Sequence, residues 1–166
     1  MPGQRIVLVN AVLTVVFTLT ALAAVVFFEQ PWKALAVTVC LVSFTVGVLA
    51  FLWGYWTAVQ RSRTDNISVA ALYFLVDNCA PRAISRQMNS LLAVQVVVAI
   101  ATAVARSTTD GKAGSTLAFG VLVPMLGLGL NGLWGANHGS FGPRKQPDST
   151  EVPDSGSSSR QDEEHD

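Results

Sequence analysis

Residues 6–28 and 34–59 of this chain contain no Asp, Glu, Lys, Arg or His. A helix needs about 20 apolar residues to cross the hydrocarbon core of a bilayer, and each stretch exceeds that length. A chain this short has no soluble interior able to hide two such helices, so lipid has to solvate them. Between them lie Glu29, Gln30, Pro31, Trp32 and Lys33. Pro31 is poorly suited to continuing a helix and Trp32 suits an interface, so the five residues read as the turn of an antiparallel hairpin. Two further stretches, 88–105 and 117–136, complete a set of four spans, with the third the shortest. The expected fold is all-α: a four-transmembrane-helix bundle over residues 1–136, followed by a disordered tail over 137–166.

A signal peptide competes for the first span, because Ala21-Leu22-Ala23 offers an A-x-A cleavage site. The apolar run continues past that site through Val25, Val26, Phe27 and Phe28, much longer than an ordinary signal core, and an uncleaved helix is expected.

The formal net charge of zero hides a division. Residues 1–147 hold ten Lys/Arg against four Asp/Glu, and residues 148–166 hold one Arg against seven acids. Orientation follows from the basic residues. Arg5, Arg61, Arg63, Arg82, Arg86, Arg144, Lys145 and Arg160 fall on one side, and Lys33, Arg106 and Lys112 on the other. The first group is expected in the cytoplasm, with both termini. Trp53, Tyr55, Trp56 and Trp134 agree, since they end spans at that face. Residues 67–76 are apolar but too few to cross; they read as a short helix lying in the inner interface or packed beneath the bundle, with Asp65 and Asn66 as caps. The arginines around it (Arg61, Arg63, Arg82, Arg86), together with Arg144, are candidate contacts for anionic lipid.

Lipid gives no hydrophobic drive for helix pairing, so association rests on small residues and interhelical hydrogen bonds. Each span carries such a stripe: Asn10, Thr14, Thr18 and Ala21; Ser43, Gly47, Ala50 and Gly54; Gln95, Ala99 and Thr102; and Gly120, Pro124, Gly127, Asn131 and Gly135. A second stripe on the fourth span, Gly129, Gly132 and Ala136, makes that helix the candidate hub or a self-association surface. Pro124 removes a backbone hydrogen bond to Gly120, so a bend is expected there. Asn10, Asn131 and Gln95 lie roughly 6, 8 and 10 Å from the inner ends of their helices. They are expected to share a polar tier, either as structural contacts or as a small pocket open to the inner face.

Catalytic chemistry finds little footing. No Asp, Glu, Lys, Arg or His falls within an expected span, although proton relays and coupled transport ordinarily need one. His138 and His165 lie in or beside the tail, and Cys40 and Cys79 fall on opposite sides, which leaves haem ligation and thiol exchange without a pair. The sequence contains no GxSxG, HExxH or phosphate loop. No enzyme activity, cofactor or nucleic-acid partner is expected.

The stretch Leu117-Ala-Phe-Gly-Val-Leu-Val-Pro, continuing through Leu133-Trp134-Gly135-Ala136-Asn137-His138-Gly139, resembles the last helix of uncharacterised small four-helix integral membrane proteins of actinobacteria. That resemblance implies a bacterial plasma membrane and brings no activity with it. Three functional classes stay open: association with itself or another membrane protein, permeation through the polar tier, and lipid sensing by residues 67–76. A permeation role requires a continuous polar path, whereas a scaffold requires a dry core packed at the glycine stripes.

Overall fold

A computed structural model of the protein describes residues 3–27, 29–105, 108–109, 112–113 and 116–143. Its helices are α1 (Gln4–Phe27), α2 (Gln30–Arg61), α3 (Val69–Phe74), α4 (Arg82–Ala105) and α5 (Pro124–His138), with a 3-10 helix (Thr116–Leu122) leading into α5. Two two-residue strands, β1 (Thr108–Thr109) and β2 (Lys112–Ala113), pair antiparallel between α4 and the 3-10 helix. Four helical segments are long and apolar enough to cross a membrane: α1, α2, α4 and Leu117–His138. Arg144 and the acidic tail lie outside the described residues.

The bundle has two unlike ends. At one, the start of α1, the end of α2, the start of α4 and the end of α5 converge. Gly3 sits against Trp134 and His138 there, and Ser140 N–H donates to Cys79 O at 2.8 Å. Arg5, Arg61, Arg63, Arg82 and Arg86 all belong to this arginine end. The opposite, hairpin end holds the α1–α2 turn and the β1–β2 pair.

The centre is α5. Within its most apolar window, Leu117–His138 is 56% buried, against 22–28% for the other three spans. Its largest contact is with α2, and glycine makes that contact possible. A Cβ at Gly129 would strike the carbonyl of Gly47, and one at Gly47 would lie 2.5 Å from the Leu126 nitrogen. At Gly54 it would lie 2.8 Å from the Leu133 nitrogen. Helix axes approach this closely only where side chains are absent, and dispersion contacts then form directly between the backbones. Gly120 differs: an added Cβ would meet Ala99 and Phe17 at 3.5 and 3.6 Å, ordinary contact distances.

Several boundaries depart from the sequence reading. Pro31 does not end a turn but sits in the first turn of α2, where its missing N–H would have had no helical partner anyway. The third span begins at Arg82 rather than Met88, so its first turns are charged and its length is ample. The bend expected at Pro124 is a change of helix type, 3-10 before it and α after. The junction is bridged by two i→i−3 bonds of 3-10 type, Val123 N–H to Gly120 O at 3.0 Å and Leu126 N–H to Val123 O at 2.8 Å. Order also extends past residue 136: α5 runs to His138, Asn66 N–H donates to Gly142 O at 2.8 Å, and Asp65 pairs with Pro143.

The 67–76 segment packs against the end of the bundle, with Val69, Phe74 and Val76 left exposed. It forms α3, only six residues long, capped by Ser68 (which accepts from Ala71 N–H at 3.0 Å) rather than by Asp65 or Asn66. Ala71, Leu72 and Tyr73 are buried. The helix stops at Leu75, which is in the left-handed region (φ 51°), as are Asp77 and Asn78 at φ 58° and 57°. This run of left-handed residues turns the chain sharply into α4.

Candidate functional site

Gln95 on α4 is fully buried and joins three helices. Its Nε2 donates to Asn10 Oδ1 at 3.1 Å and to Thr14 Oγ1 at 2.7 Å, both on α1. Its Oε1 accepts from the backbone N–H of Gly127 on α5 at 3.2 Å. The Thr14 hydroxyl in turn donates to Asn10 O at 2.7 Å. Gly127 suits this place because a Cβ there would lie 2.7 Å from Gln95 Oε1. The Pro124 break is what exposes first-turn amides of α5 at this depth, since the opening amides of a helix lack intrahelical acceptors.

Asn131 does not join that tier. It lies one turn further along α5, where its Nδ2 donates to Tyr73 O at 3.0 Å and to Asn89 Oδ1 at 3.1 Å. Asn89 Nδ2 donates to Phe74 O at 2.7 Å. Two asparagines therefore satisfy the last carbonyls of α3 and anchor it to α4 and α5. The α3 contact is completed by glycine: a Cβ at Gly132 would strike the Tyr73 ring, and one at Gly135 would lie 2.8 Å from Leu72 O. Tyr73 stacks on Phe51 with centroids 4.5 Å apart. Burial, and secondarily Tyr55, push its phenol up to about 12. Three buried polar atoms, Asn10 Nδ2, Asn131 Oδ1 and Trp134 Nε1, have no hydrogen-bond partner among the described residues.

Arg61 occupies the end of α5. Its guanidinium donates to Ala136 O at 2.8 Å and Gly139 O at 3.2 Å, and pairs with Asp65 Oδ2 at 2.9 Å. It also lies 5.4 Å from the Phe141 ring centroid. A cation on the last carbonyls of a helix satisfies acceptors and complements the dipole. This arginine, a candidate lipid contact from the sequence, is thus half-buried and engaged mainly by protein acceptors. Arg63, Arg82 and Arg86 are exposed. Cys79 is buried nearby and donates to Ala71 O at 3.1 Å; burial, then Asp77, raise its thiol pKa above the ordinary value.

Toward the hairpin end the interior is mostly apolar, although Lys33, Ser43 and Thr102 are also buried in this half. Phe17, Ala21, Cys40, Ala99 and Val123 pack together, with Ala24, Ala36 and Leu117 beyond them. Phe17 and Val123 are 1% and 0% exposed. Thr102, buried at this level, returns its hydroxyl to Val98 O at 2.8 Å within its own helix. Among the described residues, no three His, Cys, Asp or Glu side chains gather into a metal-binding group.

Sequence reasoning found Asn10, Gln95 and Asn131 as buried polar residues and missed Thr14, Asn89 and the α3 carbonyls as their partners. Asn89 carried a usable signal, being a carboxamide in an apolar helix; backbone carbonyls carry none. The chain matches no protein-family model, no curated protein and no solved structure.

Proposed function

We propose that this chain is a multi-pass membrane protein of the plasma membrane with its arginine end in the cytoplasm, and that it works by association with itself or with another membrane protein. The observation supporting this reading is the filled interior. The glycines of α2 and α5 are taken up by contacts inside the bundle, and the apolar layer around Phe17 and Val123 lies above the Gln95 network. A polar path through the bundle would have to cross that layer, which argues for a scaffold over a conduit. Recognition then rests on outward faces: the lipid-facing sides of α1, α2 and α4, and the structured cap formed by α3 and residues 139–143.

Because the glycine stripe of α5 faces inward, self-association would use other surfaces. The aromatic residues Trp53, Tyr55 and Trp56 on α2, at 68%, 51% and 66% exposure, offer one such surface. Affinity purification in mild detergent, with mass determination of the recovered particle, tests the proposal. A stoichiometric partner or a defined oligomer is expected. Recovery of a lone monomer from native membranes, with solute flux in proteoliposomes, would transfer support to the permeation reading.

A further inference from the structure

Between the first turns of α1 and α4 the bundle leaves an open groove of about 630 Å³. The two helices both begin at the arginine end, and the groove follows α1 from Gln4 to Ala11, roughly 10 Å of helix. Leu8, Ala11 and Ile84 make it apolar, while Gln4, Arg5 and Gln87 add polar groups. Leu8 is 63% exposed, so this wall is available to whatever surrounds the bundle.

The electrostatics of this corner are unbalanced. Arg5 is exposed and makes no ion pair among the described residues. α4 opens with Arg82 and Arg86, both exposed, and has no acidic residue in its first turn. Cations at a helix N-terminus oppose the dipole instead of complementing it. Asp77 lines the neighbouring cleft with both arginines, yet forms no ion pair with them among the described residues. Contrast Arg61, whose guanidinium donates to Ala136 O, Gly139 O and Asp65. Arg5 thus brings an unpaired positive charge to the apolar slot itself, while Arg82 and Arg86 line the neighbouring cleft.

We infer that the groove binds an anionic phospholipid, with an acyl chain along Leu8, Ala11 and Ile84 and the phosphate beside Arg5. A soluble phosphate would make no use of the apolar wall, and a zwitterionic lipid would leave the excess positive charge unneutralised. Basic recesses between helices at the cytoplasmic face suit such headgroups. This inference rests on the proposed placement of the arginine end at a leaflet surface.

The test uses the full chain in mild detergent, with phosphatidylglycerol or phosphatidylcholine added and bound lipid counted by native mass spectrometry. Preferential retention of phosphatidylglycerol is expected. Arg5→Gln should lower it about fivefold, the effect of one arginine near an anionic surface. Ala83→Trp, at an exposed position lining the groove, should lower it comparably by filling the slot. Arg63→Gln, exposed at the same end but outside the groove, should leave retention unchanged. Equal losses from Arg63→Gln and Arg5→Gln would mean diffuse attraction and overturn the site, as would full retention in both groove variants. Retention in detergent is indifferent to which compartment the arginine end faces. A failed groove therefore shows in lipid counts, whereas a failed topology shows in terminal accessibility.

Discussion

Gln95 on α4 donates to Asn10 on α1 at 3.1 Å, and the same carboxamide receives the Gly127 amide of α5. One side chain thus spans three helices at the depth where Pro124 interrupts the fourth span. Interhelical polar contacts of this kind contribute about 0.6 kcal/mol each on average, because the unfolded chain in a membrane also finds partners.

The two residues are not equivalent, and their variants should rank accordingly. Gln95→Leu strands Asn10 Oδ1 and the Gly127 amide, and a destabilisation of about 1–2 kcal/mol is expected. Asn10→Leu removes a side chain whose Nδ2 is already unpartnered and leaves Gln95 Nε2 bonded to Thr14, so it should be milder. Thermal unfolding in detergent gives the order. An Asn10→Leu variant less stable than Gln95→Leu would contradict the hydrogen-bond assignment. The double variant should fall short of the sum, since the two side chains share one network.

The glycine contacts set a second ranking. Gly129→Ala places a methyl against the Gly47 carbonyl and Gly132→Ala places one against the Tyr73 ring, whereas Gly120→Ala finds ordinary contact at 3.5 Å. Overpacking of the first two should cost about 1–3 kcal/mol. Gly120→Ala should be close to neutral, or slightly stabilising if the 3-10 turn tolerates it. Unfolding midpoints that do not separate Gly129→Ala from Gly120→Ala would refute the proposed α2–α5 approach.

What the sequence made legible follows from the lipid surroundings proposed for the helices. When lipid replaces water, large apolar residues face outward and small or polar ones mark the inward face. Ser43, Gly47, Ala50 and Gly54 accordingly read as one stripe, and all four are buried. Phe17, Met88, Val123 and Leu126 are among the exceptions: all are buried almost completely, yet nothing in an apolar helix distinguishes an inward Phe from a lipid-facing one. The first turns of α4 were hidden for the opposite reason, because Arg82 and Arg86 read as loop. The docking of α3 depends on backbone carbonyls meeting Asn89 and Asn131, and carbonyls leave no signature in residue type; of the left-handed positions, Asp77 and Asn78 are residue types enriched there, whereas Leu75 is not.

Arg61 offers a test of geometry against charge. Its fork reaches Ala136 O, Gly139 O and Asp65 together, and an ammonium cannot reproduce that arrangement. Arg61→Lys should therefore lose about 1–3 kcal/mol despite keeping its charge, while Arg63→Lys should change little. Hydrogen exchange is the more local readout, since loosening should appear in residues 136–143 before it reaches α1. Identical exchange in Arg61→Lys and the wild type would remove the clamp.

Cys79 and Thr64 together test the orientation and the packing of the arginine end. Thr64 is exposed in the turn after α2, whereas Cys79 is 2% exposed and donates to Ala71 O. The thiolate is the reactive form, and burial followed by Asp77 raise the Cys79 pKa above its ordinary 9.0. At pH 7.5 the native thiol is then both shielded and protonated. In a Cys40→Ala background, a membrane-impermeant maleimide should leave Cys79 unlabelled from either side of the membrane until the protein is denatured. Thr64→Cys should label only when the cytoplasmic face is accessible, as in inverted vesicles. Labelling of Thr64→Cys from the outer face would reverse the proposed topology without touching the fold. Rapid labelling of Cys79 in the native protein would instead show that α3 does not seal the end of the bundle.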